Sequence, residues 1–284
     1  MNNINLTVKI ERAISELRRG GKVVITDNNN NISMLLTPAE LIQENTVDQF
    51  LNLAKSRPNI LLSANRCKAI GINTNNKPCS IMINKNWTSS DIMSICLPLS
   101  NQEKPIISGV ISESTTGIAS SSLLILRQAR LLPAAIVSLV SYIPTENIRD
   151  WCFKNNLLNV DLEDIVIYEK VSSDSLVMEV RANVPLAHTE NCEIIVFRPR
   201  DGGHEHFCLI FGKTRKMQNS SRTNPLVRIH SQCITGDILD SLKCDCGEQL
   251  KQSIKMMADA DQGVLVYLAQ EGRDIGLLNK LRAY

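Results

Sequence analysis

The sequence has no excess of either charge. Its 284 residues include 31 Lys and Arg against 29 Asp and Glu, a net of +2. That excludes a chain-wide basic field for nucleic acid. It also lacks any apolar run of about 18 residues, the length a membrane-spanning helix needs. The best stretch, residues 131–143, is broken by Pro133, Ser138 and Ser141. The first residues show no basic segment followed by an apolar one, so no secretory signal is expected. Histidine is scarce: there are four, and none precedes His188. These absences lead us to expect a soluble cytoplasmic protein with neither a membrane nor a nucleic-acid partner.

Hydrophobic residues make up 43% of the chain, enough for sizeable cores and too many for a disordered one. The length fits two domains of ordinary size. Nine cysteines do not make a disulfide scaffold, and the odd total fits a reducing compartment. Six are scattered: Cys67, Cys79, Cys96, Cys152, Cys192 and Cys208. Such residues serve most often as small buried apolar groups.

Periodicity predicts a helix over residues 7–19, with Ile10, Ala13, Ile14 and Leu17 on one face, Thr7 as its cap and Gly20 and Gly21 at its end. A strand is expected at 22–26, and Asp27 with the four asparagines after it reads as a turn. Residues 119–130 read as helix, 134–139 as strand, 146–156 as helix and 165–168 as strand. The polar, serine-rich stretch 170–175 is the expected linker. Beyond it, 192–197 and 207–211 read as two strands of a hairpin, and 226–230 as another strand. A helix is expected over 248–260, with Leu250, Ile254 and Met257 on one face and Gly263 as its stop. A buried strand at 264–269 and a helix from Ile275 follow. That last helix has no stop signal before Tyr284, which suggests that the domain design continues beyond it. The fold class expected is α/β (α+β): two domains, 1–172 and 176–284, with mixed sheets and flanking helices.

The strongest chemical signal is Cys233-x10-Cys244-x-Cys246. Three thiolates can hold one zinc ion and leave its fourth position to water. Cys244 and Cys246 point apart in a regular helix, so they belong on a turn, with Gly247 and a helix behind it. A structural zinc closed by a histidine such as His230, or three unligated cysteines, fit the same spacing. A second signal is Gln270-Glu-Gly-Arg-Asp-Ile-Gly276, between a buried strand and a helix. Such a turn offers backbone N–H groups to a phosphate, Arg273 adds a fork of donors, and Glu271 can accept from a guanine edge. A merely solvated helix-start loop is the plainer reading. His204 and His206, in Gly203-His-Glu-His206, are further ligand candidates, with a surface turn the preferred reading.

Residues 228–284 resemble the N-terminal half of GTP cyclohydrolase II, a zinc enzyme of riboflavin synthesis. The carriers are Arg228-Ile-His-Ser-Gln-Cys-Ile-Thr-Gly-Asp237, Ser241-Leu-Lys-Cys-Asp-Cys-Gly-Glu-Gln-Leu250, Gly263-Val-Leu-Val-Tyr267 and the stretch from Gln270 to Tyr284. Weaker similarity reaches back to about Ala182. The resemblance implies zinc on Cys233, Cys244 and Cys246. It implies GTP held by Arg228, Ile229, His230, Ser231, Gln232, Gln249, Glu271, Gly272 and Arg273, and Tyr284 near the reacting base. It also implies hydrolytic opening of the guanine ring at C8, release of formate, and release of pyrophosphate with Mg²⁺ on the triphosphate. A homodimer is expected. Gln232 stands where the family usually has Glu, and Asp274 where it tends to have a small or amide residue. The family's general-base aspartate, an arginine towards the phosphates and further GTP-binding positions fall after Tyr284. The residues at hand are therefore expected to bind zinc and part of GTP but to fall short of complete turnover. The alternative is a non-catalytic zinc and nucleotide module.

The first part of the chain resembles 3,4-dihydroxy-2-butanone 4-phosphate synthase. The carriers are Ala13-Ile-Ser-Glu-Leu-Arg-Arg-Gly20, Val23-Val-Ile-Thr-Asp27, Thr115-Thr-Gly-Ile118, Leu132-Pro-Ala-Ala135 and Asn156-Leu-Leu-Asn-Val-Asp161. That family holds Mg²⁺ with an acidic loop. Here the loop is Asp27 followed by Asn28, Asn29, Asn30 and Asn31, and amides do not replace carboxylates around a hard cation. Ser122 and Leu123 replace the family's Asp-Arg, and its Arg-x-Gly-His-Thr-Glu segment is absent between Arg130 and Pro133. A degenerate domain without synthase activity is expected.

Overall fold

The computed structural model describes residues 2–98, 105–114, 117–212, 224–282 and 284. Thr115 and Thr116 of the synthase-like motif, and Ala283, lie outside the described residues. The chain divides into two compact units, Met1–Val171 and Ser172–Arg282 with Tyr284.

The first unit runs α1 (Asn2–Arg18), β1 (Val23–Asp27), β2 (Ile32–Pro38), α2 (Thr46–Ala54), β3 (Asn59–Leu62), α3 (Ala64–Ala69), β4 (Cys79–Met82) and α4 (Ser89–Cys96). It continues with β5 (Val110–Ser112), α5 (Ile118–Gln128), β6 (Ala134–Leu139), α6 (Ile148–Lys154), β7 (Leu158–Asp161) and the start of α7 (Leu162–Asp174). The strands form one sheet in the order β5-β4-β3-β6-β2-β1-β7. β1 and β7 pair parallel and the other neighbours antiparallel.

Successive side chains of a strand point to opposite faces. Val23 and Ile25 therefore pack with Ile14 and Leu17 of α1, with α5 and with Tyr168 of α7. Val24 packs on the other side, with Phe50 of α2, Ile92 of α4 and Cys152 of α6. Both faces are covered, which makes the strands read as continuous apolar runs. Asp27 accepts from the Asn30 amide N–H at 3.1 Å and from Asn30 Nδ2 at 2.9 Å. Its carboxylate thus helps close the β1–β2 turn.

The second unit contains β8 (Leu176–Asn183), β9 (Cys192–Pro199), β10 (His206–Phe211), β11 (Leu226–Ser231), α8 (Cys246–Asp259), β12 (Gly263–Leu268) and α9 (Gly276–Arg282). Its sheet has the order β11-β12-β10-β9-β8, with β11 and β12 parallel and the rest antiparallel. Leu250, Ile254 and Met257 of α8 pack on Leu209, Phe211 and Leu265. The fold is thus mixed α/β, with two mixed sheets and flanking helices. No helix among the described residues is long and apolar enough to cross a membrane.

Several local expectations change. Residues 165–168 lie inside α7 and not in a strand. Ile165 and Tyr168, three apart, are buried, while Val166 and Ile167 are about half exposed. Glu163 and Asp164 in the first turn favour a helix start there. Most of the expected linker, 170–174, belongs to the same helix. Thr7 lies within α1, not at its cap, and Gly263 opens β12 instead of ending α8.

Candidate functional site

β11 and β12 run parallel, with Ser231 paired to Leu268 at their ends. Parallel neighbours deliver the loops that follow them to one edge of the sheet. Cys233 follows β11 there, and residues 270–276 follow β12. A single π turn, Ile234–Ile238, comes directly after Cys233, whose sulfur accepts from the Gly236 amide at 3.3 Å. Cys246 opens α8, and Cys244 lies on the turn before it. This is the turn-then-helix arrangement expected from the spacing.

The Sγ atoms of Cys233, Cys244 and Cys246 all lie within 4.8 Å of one another. Cys233 and Cys244 are 3.7 Å apart. Zinc–sulfur bonds of about 2.3 Å put tetrahedral sulfurs about 3.8 Å apart, so the donor set fits that ion. Burial pushes the Cys233 thiol up, but hydrogen bonds from Lys280, Thr235 and Gly236 outweigh it and bring it down to about 7. Cys246 is pushed up to about 12, by burial first and then by Cys233 and Cys244. Three thiols crowded together resist ionising without a cation among them.

His230 does not join this group among the described residues. Its Nε2 meets Asp237 Oδ1 at 3.0 Å, and both side chains are almost fully buried. Asp237 also accepts from Tyr267 Oη at 2.8 Å and from the Cys233 amide at 3.0 Å. One carboxylate thereby fixes the start of the ligand turn. His204 is exposed, and His206 Nδ1 accepts from the Ala269 amide at 3.0 Å.

The other candidates divide by strand alternation. Arg228 donates to Gln249 Oε1 at 2.5 Å, and Gln249 in turn donates to Asp245 at 2.7 Å. The Arg228 Nε is buried without a partner. Ile229 points to the opposite face and is 66% exposed, so its side chain is not brought to Arg228 and Gln249. Ser231 Oγ accepts from Gln270 Nε2 at 2.8 Å, and the Gln232 amide donates to Leu268 O at 2.9 Å. Glu271 Oε2 accepts from the Ile234 amide at 2.7 Å. Gly272, Arg273 and Asp274 are all left-handed, with φ of 62°, 56° and 74°. Tyr284 Oη lies 2.7 Å from Thr235 Oγ1 and 4.0 Å from Cys244 Sγ.

Four residues of this constellation were not singled out from the sequence: Thr235, Asp237, Tyr267 and Lys280. All four stand inside the quoted motifs, but a Thr, an Asp, a Tyr and a Lys carry no spacing signal of their own. Lys280 reads as a solvated helix lysine.

The family described as GTP cyclohydrolase II matches residues 177–284. The GTP cyclohydrolase-2 of Azospirillum brasilense is 34% identical over 281 residues, covering 97% of this chain and 70% of that protein. The riboflavin biosynthesis protein RibBA of Phocaeicola vulgatus is 28% identical over 312 residues, covering 97% and 75%. Among solved structures, RibBX from A. baumannii, a two-domain 3,4-dihydroxy-2-butanone 4-phosphate synthase, aligns over 96% of this chain and 86% of its own. Its identity is 15% and its TM-score 0.46.

Proposed function

The chain belongs to the GTP cyclohydrolase II family, hydrolases of riboflavin biosynthesis, and on that footing we propose that its second unit binds zinc and GTP and opens the guanine imidazole ring, releasing formate and pyrophosphate. The observation that carries this reading is the convergence of Cys233, Cys244 and Cys246 within 4.8 Å. They stand at the same sheet edge as the Glu271–Gly272–Arg273 loop.

Cys233, Cys244 and Cys246 hold the zinc. When bound there, the ion would supply Lewis acidity, the chemistry that lowers the pKa of a water molecule. The chain's own residues do the rest. Tyr284 places a hydroxyl 4.0 Å from Cys244 Sγ, and in this reading it would stand near the reacting base and hold a proton there. Arg228 and Gln249 face one another and can re-aim towards the nucleotide, and the unpartnered Arg228 Nε is a donor for it. The left-handed turn at Gly272 and Arg273 presents backbone N–H groups and a guanidinium to phosphate. Residues 229–232 contribute through their backbone. Glu271 meets the base with the lone pairs left after its two existing bonds. Mg²⁺ accompanies the triphosphate. Six buried free thiols outside the site suit the reducing cytoplasm.

The first unit is, in this reading, a synthase-like scaffold without synthase chemistry. The support is the loop's donor set: Asp27, which already accepts from Asn30 at both oxygens, is its one carboxylate, and the four residues after it are amides, a poor set for a hard cation.

Where the polypeptide carries the family's positions that fall after Tyr284, zinc-loaded protein with GTP and Mg²⁺ is expected to release one formate for each GTP consumed. Chelator-stripped protein is expected to release none, and added zinc to restore the release. Protection of residues 270–276 by GTP without any formate would replace this reading with the non-catalytic module. A second expectation concerns Arg273→Ala. It weakens GTP binding about 10-fold or more, as loss of a charge-assisted hydrogen bond does, and leaves guanosine binding nearly unchanged. Equal losses for the two ligands, measured by calorimetry, would take Arg273 away from the phosphates.

A further inference from the structure

Lys280 belongs to none of the roles above, yet it is held as firmly as any ligand. Its side chain is 16% exposed, although a lysine on a surface helix ordinarily carries its ammonium out to water. The Nζ lies 2.7 Å from Glu271 Oε1 and 3.0 Å from Cys233 Sγ. The Glu271 side chain is 9% exposed, and its other oxygen accepts from the amide of Ile234, the residue after Cys233. Ammonium, carboxylate, ligand turn and ligand sulfur thus close a ring of contacts. The loop between Glu271 and Lys280 is built close around it. A Cβ on Gly272 would lie 3.2 Å from Lys280 Cβ and 2.9 Å from Gly276 O.

We infer that Lys280 is a positioning residue of the metal centre: together with Glu271 it fixes the Cys233 sulfur and supplies the positive charge that a three-thiolate site lacks. The inference rests on Cys233, Cys244 and Cys246 being the zinc ligands. Three thiolates around a divalent cation leave one negative charge, and Glu271 adds another beside it. In a half-buried site such an excess is costly unless a cation pairs with it. An ammonium has three N–H donors, and two of these face the carboxylate and the sulfur. Glu271 acts here mainly by orienting Lys280 and the Cys233–Ile234 peptide.

The test is spectroscopic and uses the full chain with Co²⁺ in place of zinc. A hydrogen bond to a thiolate lowers the energy of its lone pairs. Its loss moves the sulfur-to-cobalt charge-transfer band to lower energy. Lys280→Met is expected to show that shift, and a zinc affinity lower by about 10- to 100-fold in chelator competition, the usual effect of removing a partner of a metal ligand. Lys280→Arg keeps charge and donors and is expected to keep the wild-type band. If Lys280→Met does not fold, Glu271→Gln decides, because it frees the ammonium and is expected to shift the band in the same direction.

If the wild type binds Co²⁺ with thiolate bands and neither variant moves them, the positioning role falls and the metal centre stands. If the wild type shows no thiolate bands, the metal centre itself falls, and the inference with it. A loss of GTP affinity of about tenfold or more in Lys280→Met, with the band unmoved, would put Lys280 on the substrate and overturn the inference.

Discussion

Cys244→Ser is expected to be purified without zinc, where the wild type carries one ion per chain. The three sulfurs lie within 4.8 Å of one another, and no histidine or carboxylate joins them among the described residues. Removing one donor leaves two thiolates, too few to hold the ion against water and buffer. Structural zinc sites bind with about 10–16 kcal/mol, or roughly 3 kcal/mol per ligand in a four-ligand site. A loss of that size is roughly a hundredfold or more in affinity. Serine keeps the shape of the side chain, but its hydroxyl ionises far less readily than a thiol. Cys244 is the informative position. Cys233 also accepts the Gly236 amide and caps its turn, so changing it disturbs the backbone as well. Cys244 is half-buried and its loss leaves that cap intact. Metal analysis after gel filtration gives the answer, with Cys152→Ala in the first unit as a control that keeps its zinc. Full zinc in Cys244→Ser would remove the metal assignment altogether.

The parts of this site that were legible in the sequence are those set by local rules. Cys244 and Cys246, two apart and followed by glycine, had to leave a helix before converging, and α8 does begin at Cys246. The strand Ala134–Leu139 was readable because a short run of small, β-branched and apolar residues follows Pro133. The β9–β10 hairpin was readable from the glycine-rich loop between its strands. Short apolar runs were not. In residues 165–168 a strand and a helix make nearly the same local pattern, and only packing chose the helix. β3 and β4 are four residues each, largely buried and without alternation, and went unassigned. Contacts across long separations were equally hidden. Lys280 reaches Cys233 across 47 positions, and Tyr284 reaches Thr235 across 49. Nothing in a lone lysine or threonine announces such a partner. The parallel pairing of β11 with β12 brings them together.

Gly247→Ala is expected to disable the metal centre although alanine is the better helix residue. Gly247 is the second residue of α8, and propensity alone favours alanine there by about 1 kcal/mol. Packing opposes it. A Cβ at Gly247 would lie 2.1 Å from Gly236 O and 2.9 Å from Gly236 C. Both contacts are backbone, so no side chain can swing away. Relief requires the turn after Cys233 and the start of α8 to separate by about 1 Å, since interiors have no slack of that size. Overpacking of this kind costs about 1–3 kcal/mol, which exceeds the gain in propensity. The larger effect falls on the metal, because Gly236 sits between the ligands. A Cβ placed there would meet Cys246 Cβ at 2.8 Å and Cys244 Sγ at 3.0 Å. Metal–ligand distances tolerate only about 0.2 Å, so a shift of about 1 Å takes Cys233 out of reach of the other two. Zinc affinity should therefore fall about a hundredfold or more, as for loss of a whole ligand, while the thermal midpoint of the metal-free protein drops by only a few degrees. Unchanged zinc affinity with a raised midpoint would mean that the Gly236–Gly247 approach does not define the distance between the ligand segments.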